Sequence, residues 1–291
     1  MGVTLKLYDN EDAGLPREKT CCSVDDVADA RSVAFRLGMP FYVFNFKEAF
    51  RREVMDRFVQ AYERGETPNP CVDCNRYIKF EKLMRRGEET GFPYIATGHY
   101  ARVEFDGAAG RWLLKKGLDE NKDQSYMLWS LTQWELSRLL LPLGGLTKER
   151  VRQLAEEHGF LNARKRDSQD ICFVPDGDYA AFIRRYAGKE FPPGAFVGTQ
   201  GQVYGQHKGI IHYTVGQRKG LGLSFPQPMF VKELDVEKNR VVLAKAEELF
   251  SQEVIARDIN LISVESIPAP LRVKARVRYR QKEQPATVLQ T

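Results

Sequence analysis

Phe41-Tyr-Val-Phe-Asn-Phe46 is six residues long and carries four aromatic side chains and a valine, too short for a helix and apolar enough for a buried strand. Helical periodicity flanks it on both sides. Upstream, Val27, Ala30, Ala34 and Leu37 recur at three- and four-residue spacing until Gly38 stops the run, with Ser23 placed to cap the helix and Asp26 at the capping-box position. Downstream, from Lys47, Phe50, Val54, Phe58 and Tyr62 repeat every four residues. Gly2-Val-Thr-Leu-Lys-Leu-Tyr8 alternates as a further strand, and Tyr94-Ile-Ala-Thr97 forms a short one leading into Gly98-His99. Strands separated by helices predict βαβ units and a parallel sheet of the α/β class. Ligands gather at the carboxyl ends of such strands, which predicts the Leu5–Tyr8 end, Asn45 and Gly98-His99 on one rim.

The composition changes near Asp176. A helix marked by Tyr179, Phe182, Ile183 and Tyr186 precedes a Gly-rich alternating stretch, Gly194 to Leu223, and a hairpin of Met229–Asp235 with Arg240–Ala244. This predicts a small β-rich central domain at 176–250 after an α/β domain at 1–175. Residues 251–291 are strand-like again and read as part of a C-terminal β domain.

With 43% hydrophobic and 29% charged residues in 291, the composition is that of an ordinary water-folding chain. No apolar run approaches the ~20 residues of a membrane span, and the first residues lack the order of a secretory signal, so the expected address is cytoplasmic. A formal charge of +5 leans towards a polyanionic partner. Leu271-Arg-Val-Lys-Ala-Arg-Val-Arg-Tyr-Arg280 sharpens that lean, because as a strand it would set residues 272, 274, 276, 278 and 280 on one face. Cations so close repel one another, and a phosphate backbone relieves the repulsion.

The five cysteines, Cys21, Cys22, Cys71, Cys74 and Cys172, are an odd number without a secretion signal, which argues against a disulfide framework. Cys71-Val-Asp-Cys74 lies in the Pro-rich loop Thr67-Pro-Asn-Pro-Cys71 at a helix start, where the macrodipole favours thiolate. Three uses stay open for it: a nucleophile, a zinc site completed by Cys21 and Cys22, or packing. Cys172 follows the basic run Arg164-Lys-Arg166, whose cations would stabilise a thiolate or persulfide; burial in a core is the rival use. Lys115-Lys116 and Lys122-Asp123-Gln124 put cations and an amide in loops. Gly216-Gln-Arg-Lys-Gly-Leu-Gly222 resembles a phosphate loop only loosely, lacking the Gly-Lys-Ser/Thr ending of a Walker motif.

Taken in order, Thr67-Pro-Asn-Pro with Cys74-Asn75, Ile78-Lys-Phe80, Tyr94-Ile-Ala-Thr-Gly-His-Tyr100, Lys122-Asp-Gln-Ser-Tyr126, Asp167-Ser with Ile171-Cys-Phe173, Gly216 to Gly222 and Arg278-Tyr-Arg-Gln281 resemble the tRNA 2-thiouridylases over essentially the whole chain. The resemblance implies a Rossmann-like adenylating domain of the adenine-nucleotide hydrolase type, a small central domain and a C-terminal β-barrel. It implies ATP, with Mg2+ beside it, as cofactor. Its partners would be tRNA and a persulfide donor or relay protein fed by a cysteine desulfurase. In that family the C2 oxygen of wobble uridine 34 is adenylated and a cysteine persulfide then supplies sulfur. Cys172 matches the persulfide carrier and Cys74 the cysteine that resolves it into a disulfide. Asn69, Pro70 and Cys71 match positions lining the target base; Lys122, Asp123, Gln124, Arg278 and Tyr279 match tRNA contacts; Leu5 and Gly98 match ATP contacts. Some relatives carry Asp where Cys71 stands, so no general base is assigned, and no metal ligand is.

The resemblance also implies a leading strand and a Ser-Gly-Gly-x-Asp-Ser loop around the ATP phosphates. The expectation is therefore a chain that lacks this loop and most of the final barrel. Its alternative readings are a tRNA-binding remnant that cannot adenylate, or a Cys-x-x-Cys zinc or redox protein.

Overall fold

The structure is a computed structural model describing residues 1–9, 24–160, 162–165, 171–279 and 281–290. Ser23, Cys21, Cys22, Arg166 at the end of the basic run with the Asp167-Ser168 motif and on to Asp170, and Arg280 lie outside the described residues. The chain forms two compact units, one of Met1–Cys74 with Arg166–Ile255 and one of Asn75–Lys165 with Ala256–Thr291.

In the first unit, β1 (Gly2–Lys6) and β2 (Phe41–Asn45) pair in parallel, Gly2 opposite Phe41 and Lys6 opposite Asn45. The helix Val24–Arg36 makes the crossover that a parallel pair requires and packs on both strands. Gly38, at φ 63°, ends it as the sequence predicts. β2 is less buried than its composition suggests, with Tyr42 50% and Val43 40% exposed. The helix covers one face of a two-stranded ribbon, and among the described residues no third strand joins β2.

From Lys47 one continuous helix is assembled from Lys47–Phe50, a wider π-helical turn at Arg51–Met55, and Asp56–Glu63. Residues four apart drift around an ordinary α-helix, whereas a π turn brings them back into line. Phe50, Val54, Phe58 and Tyr62 accordingly stay on one buried face. They pack against Phe173 and Phe182, the Phe58 and Phe173 rings meeting edge to face at 5.4 Å. Each such buried ring contributes roughly 1.5–3 kcal/mol by removal from water.

The same unit holds the helix Tyr179–Ala187 and a four-stranded sheet in the order β8-β7-β10-β9. Its strands are β7 (Gly194–Gly198), β8 (Val203–His207), β9 (Phe230–Asp235) and β10 (Arg240–Ala244). Phe196, Val231, Val241 and Leu243 fill its inner side. This is the β-rich segment predicted from the Gly-rich alternation.

The second unit centres on Phe80, Met84, Ala101, Leu128, Leu131, Leu136 and Leu139. β3 (Ile95–Ala96) pairs in parallel with β6 (Leu139–Leu140), β4 (Ala101–Asp106) forms a hairpin with β5 (Arg111–Lys116), and β11 (Leu271–Ala275) pairs antiparallel with β12 (Gln284–Val288). Two expectations are corrected here. β3 joins β6 and not the β1–β2 ribbon, so the single rim of Leu5–Tyr8, Asn45 and Gly98-His99 does not form on one sheet. The row of cations also breaks, because β11 ends at Ala275 and the chain turns, Gln281 N–H donating to the Arg278 carbonyl at 3.1 Å. Arg272 and Lys274 stay exposed on the strand, while Arg276 is drawn onto Asp123 at 3.4 Å.

Candidate functional site

The Pro68-Asn69-Pro70 run builds the mouth of the thiol site. A residue before proline is held extended, and Asn69 obeys with φ −111°, ψ 92°. Its side-chain oxygen then caps the helix by accepting the Cys71 N–H at 3.2 Å, with Pro70 at the first helical position. Cys71 and Cys74, three residues apart, share a face of this helix, yet Cys71 is exposed and Cys74 is buried at 8%. At Cys74 the helix widens into a second π-helical run, Cys74–Lys82, the kind of departure that recurs at functional positions. Next to it, Asn75 donates from its amide nitrogen to the Met127 carbonyl at 3.3 Å.

Cys172 belongs to the same unit as both thiols. Its half-exposed position is set from two sides. Phe173, 1% exposed, is wedged among Phe50, Phe58 and Phe182. The Tyr8 hydroxyl, just past the carboxyl end of β1, donates to the Cys172 carbonyl at 2.5 Å. Val174 N–H closes the turn on the Ile171 carbonyl at 2.8 Å. The backbone at Cys172 is thus clamped while its side chain keeps access to solvent. Sequence reasoning placed Tyr8 on the predicted rim at a strand's carboxyl end but gave no sign of its bond to Cys172.

In the second unit two of the predicted RNA-contact residues, Asp123 and Tyr279, are joined by a hydrogen bond. Asp123 is 7% exposed, and its carboxylate accepts from Gly117 N–H (3.0 Å), Ser125 N–H (3.1 Å), Ser125 Oγ–H (2.8 Å) and Arg276 (3.4 Å). Its carbonyl accepts the Tyr279 hydroxyl at 3.1 Å. The Arg276 guanidinium lies over Tyr126 at 5.1 Å and Tyr279 at 6.0 Å, so cation–π attraction adds to the ion pair. Gln124 Oε1 accepts the Tyr100 N–H at 2.9 Å. Lys122 is half-buried and Arg278 exposed. Arg276 was visible in sequence only as one cation of the row; its role as the strut between Asp123 and two tyrosines was not.

Leu5 sits half-buried in β1, and Gly98 follows β3 in the other unit. A Cβ added at Gly98 would meet Leu143 at an ordinary 3.5 Å, so the fold itself does not demand glycine there. The open backbone suits close approach of a ligand. Beside it, His99 is buried and held neutral, its pKa pushed down to about 3 by desolvation and by the Lys79 charge. Thr97 Oγ1 meets its Nδ1 at 2.8 Å. Among the described residues no three of His, Cys, Asp and Glu cluster to hold a metal, and no helix is long and apolar enough to cross a membrane.

Comparison with known proteins gives this arrangement a family. Residues 1–176 match the family described as tRNA methyl transferase HUP domain, and residues 180–245 the one described as tRNA methyl transferase PRC-barrel domain. The chain is 48% identical over 288 residues to the tRNA-specific 2-thiouridylase MnmA of Clostridioides difficile, covering 99% of this chain and 80% of the relative. It is 49% identical over 289 residues to a protein of the same name from Thermoanaerobacter sp., covering 99% and 79%, and 47% identical to that of Acetivibrio thermocellus, covering 99% and 80%. The chain spans about four fifths of the length of these relatives. The HUP and PRC-barrel matches agree with a Rossmann-like α/β part followed by a β-rich one. The chain belongs to the tRNA-specific 2-thiouridylase family.

Proposed function

We propose that this chain replaces the C2 oxygen of wobble uridine 34 in tRNA with sulfur carried as a persulfide on Cys172 and resolved by Cys74. The observation that carries this reading is the graded exposure of two thiols in one unit. Cys172 is half-exposed and backbone-clamped, and Cys74 is buried. A carrier must be open to be loaded by a partner, whereas a resolving thiol works best where outside thiols cannot reach it. The relatives are named for 2-thiouridine, which agrees with a sulfur product.

The terminal sulfur of the Cys172 persulfide bonds to uridine C2 as the activated oxygen departs. The Cys74 thiolate attacks Cys172 Sγ, the S–S bond breaks, and its electron pair stays on the sulfur left on the base. Cys74 and Cys172 end as a disulfide, which two electrons from an external thiol reductant must reopen. ATP, which this family's fold implies, would supply the adenylyl group that makes the oxygen a leaving group. Leu5 and Gly98 are each proposed as an ATP contact, and Mg2+ would arrive with the nucleotide. Asn69, Pro70 and Cys71, at the capped helix start, would receive the base. Lys122, Asp123, Gln124, Arg278 and Tyr279 would meet the tRNA, Asp123 also holding Tyr279 in place. The donor is a persulfide-bearing relay protein or desulfurase, the compartment the cytoplasm, and the domain division 1–175, 176–250 and 251–291.

The test is nucleoside mass spectrometry in cells whose only 2-thiouridine comes from this gene. Cys172→Ser and Cys74→Ser should each abolish it, and Cys71→Ser should leave a measurable fraction. Undiminished 2-thiouridine in either of the first two variants sinks the sulfur-relay assignment.

A further inference from the structure

The turn Gly216-Gln-Arg-Lys-Gly-Leu-Gly222 has no part in the chemistry above, yet its conformation is heavily specified. Gly216, Gly220 and Gly222 hold φ of 86°, 78° and 72°, a region costly for other residues. Gln217 ties the turn together: its Oε1 accepts the Thr214 N–H at 3.0 Å, its Nε2 donates to the Lys219 carbonyl at 3.0 Å, and its carbonyl accepts the Val231 N–H at 2.9 Å. Tyr213 before the turn and Leu221 within it are buried. What this frame presents is Arg218 and Lys219, adjacent and exposed, with neither charged group paired among the described residues. The root of the turn touches the thiol loop, Thr67 Oγ1 donating to Thr214 Oγ1 at 3.3 Å. Both loops lie in the first unit.

Two neighbouring cations held out on a braced tip repel each other unless an anion lies between or beside them. The tip presents two exposed side-chain charges, the kind of contact by which proteins position a phosphodiester backbone. We infer that Arg218 and Lys219 bind backbone phosphates of the RNA substrate next to the nucleotide received by the Thr67–Cys71 loop. This rests on the proposed tRNA substrate and adds a contact for it.

The experiment is titration of the 291-residue chain with its tRNA by fluorescence anisotropy across a salt series, alongside the KM for ATP. Arg218→Ala/Lys219→Ala should weaken binding about tenfold at ~0.1 M salt and flatten the log Kd against log salt slope by about 1–2, as loss of two phosphate contacts requires. Arg218→Lys should restore most of the slope when Lys219 is intact, and Lys238→Ala on the β9–β10 turn should change nothing. Circular dichroism confirms that the double variant is folded; if it is not, Arg218→Gln and Lys219→Gln singly should each flatten the slope by about half as much. Unchanged affinity and slope in a folded variant overturn this inference alone. A raised KM for ATP with tRNA affinity intact overturns it in favour of a nucleotide contact. Failure of the wild-type chain to bind tRNA overturns it together with the proposed function.

Discussion

Replacing Asp123 by Asn exchanges one carboxylate oxygen for an amide nitrogen and should lower the stability of its unit by roughly 2–3 kcal/mol. Oδ1 can keep both backbone N–H bonds, at 3.0 and 3.1 Å. The Ser125 hydroxyl, at 2.8 Å, can rotate to accept from the new amide, so that bond survives with its direction reversed. The Arg276 contact cannot be reversed, because a guanidinium has no acceptor and would face a second donor. Asp123 and Arg276 side chains are only 8% and 21% exposed, so solvent replaces little of what is lost. Stranding one partner of a buried pair costs about 3–5 kcal/mol, and the Tyr126 and Tyr279 rings that still flank the guanidinium reduce this. Asp123→Ala loses all four bonds and should reach the full ~3–5 kcal/mol. All three tryptophans, Trp112, Trp129 and Trp134, lie in this unit, so urea unfolding followed by tryptophan fluorescence reports on it selectively. A double-mutant cycle with Arg276→Met should show coupling of about 1 kcal/mol or more. If Asp123→Asn stays within about 0.5 kcal/mol of the parent, or the cycle shows no coupling, the strut does not exist.

Tyr8→Phe removes the hydroxyl that clamps the Cys172 carbonyl and should cost about 1 kcal/mol of stability while slowing sulfur transfer from a preloaded persulfide several-fold. Single-turnover transfer at the parent rate would show that the clamp is dispensable. His99 gives a pH signature. With its folded pKa pushed down to about 3 and an unfolded value near 6.5, the unfolded state binds the extra proton, so stability is full above 6.5 and falls as pH drops. Between pH 7.5 and 5.5 this group should remove about 1.4 kcal/mol, a loss that His99→Gln should abolish in fluorescence-detected unfolding. A slope identical in parent and variant would place the proton elsewhere.

The parts of this fold that sequence made legible are those set by local period. Phe50, Val54, Phe58 and Tyr62 announced a buried helical face, and their strict four-residue step is explained by the π turn at Arg51–Met55. Gly38 announced a helix end. What sequence could not carry is what depends on distant partners. The exposure of Tyr42 and Val43 depends on which element covers β2, which an apolar run does not encode. The cations from Arg272 onward satisfy a strand's period of two, yet the strand stops at Ala275 and the next residue, Arg276, pairs with a carboxylate 153 residues away. The thiols were legible as types and spacings. Their order of exposure comes from the Asn69 cap and the Phe173 wedge, and so from tertiary structure.

That order bears on a conflict between names. The matched family descriptions speak of methyl transfer and the curated relatives of 2-thiouridine. A methyl group moved from a bound donor to a base needs at most one thiol on the protein, as a nucleophile towards the base. A sulfur relay needs one that is reachable, a second that is sheltered, and a backbone stiff enough to return the first to the same place on each cycle. Cys172 is reachable and pinned by Tyr8 and Phe173; Cys74 is sheltered on a helix face whose exposed neighbour is Cys71. An open thiol paired with a sheltered one in a single unit therefore fits the proposed sulfur relay, which needs two thiols, better than methyl transfer, which needs at most one.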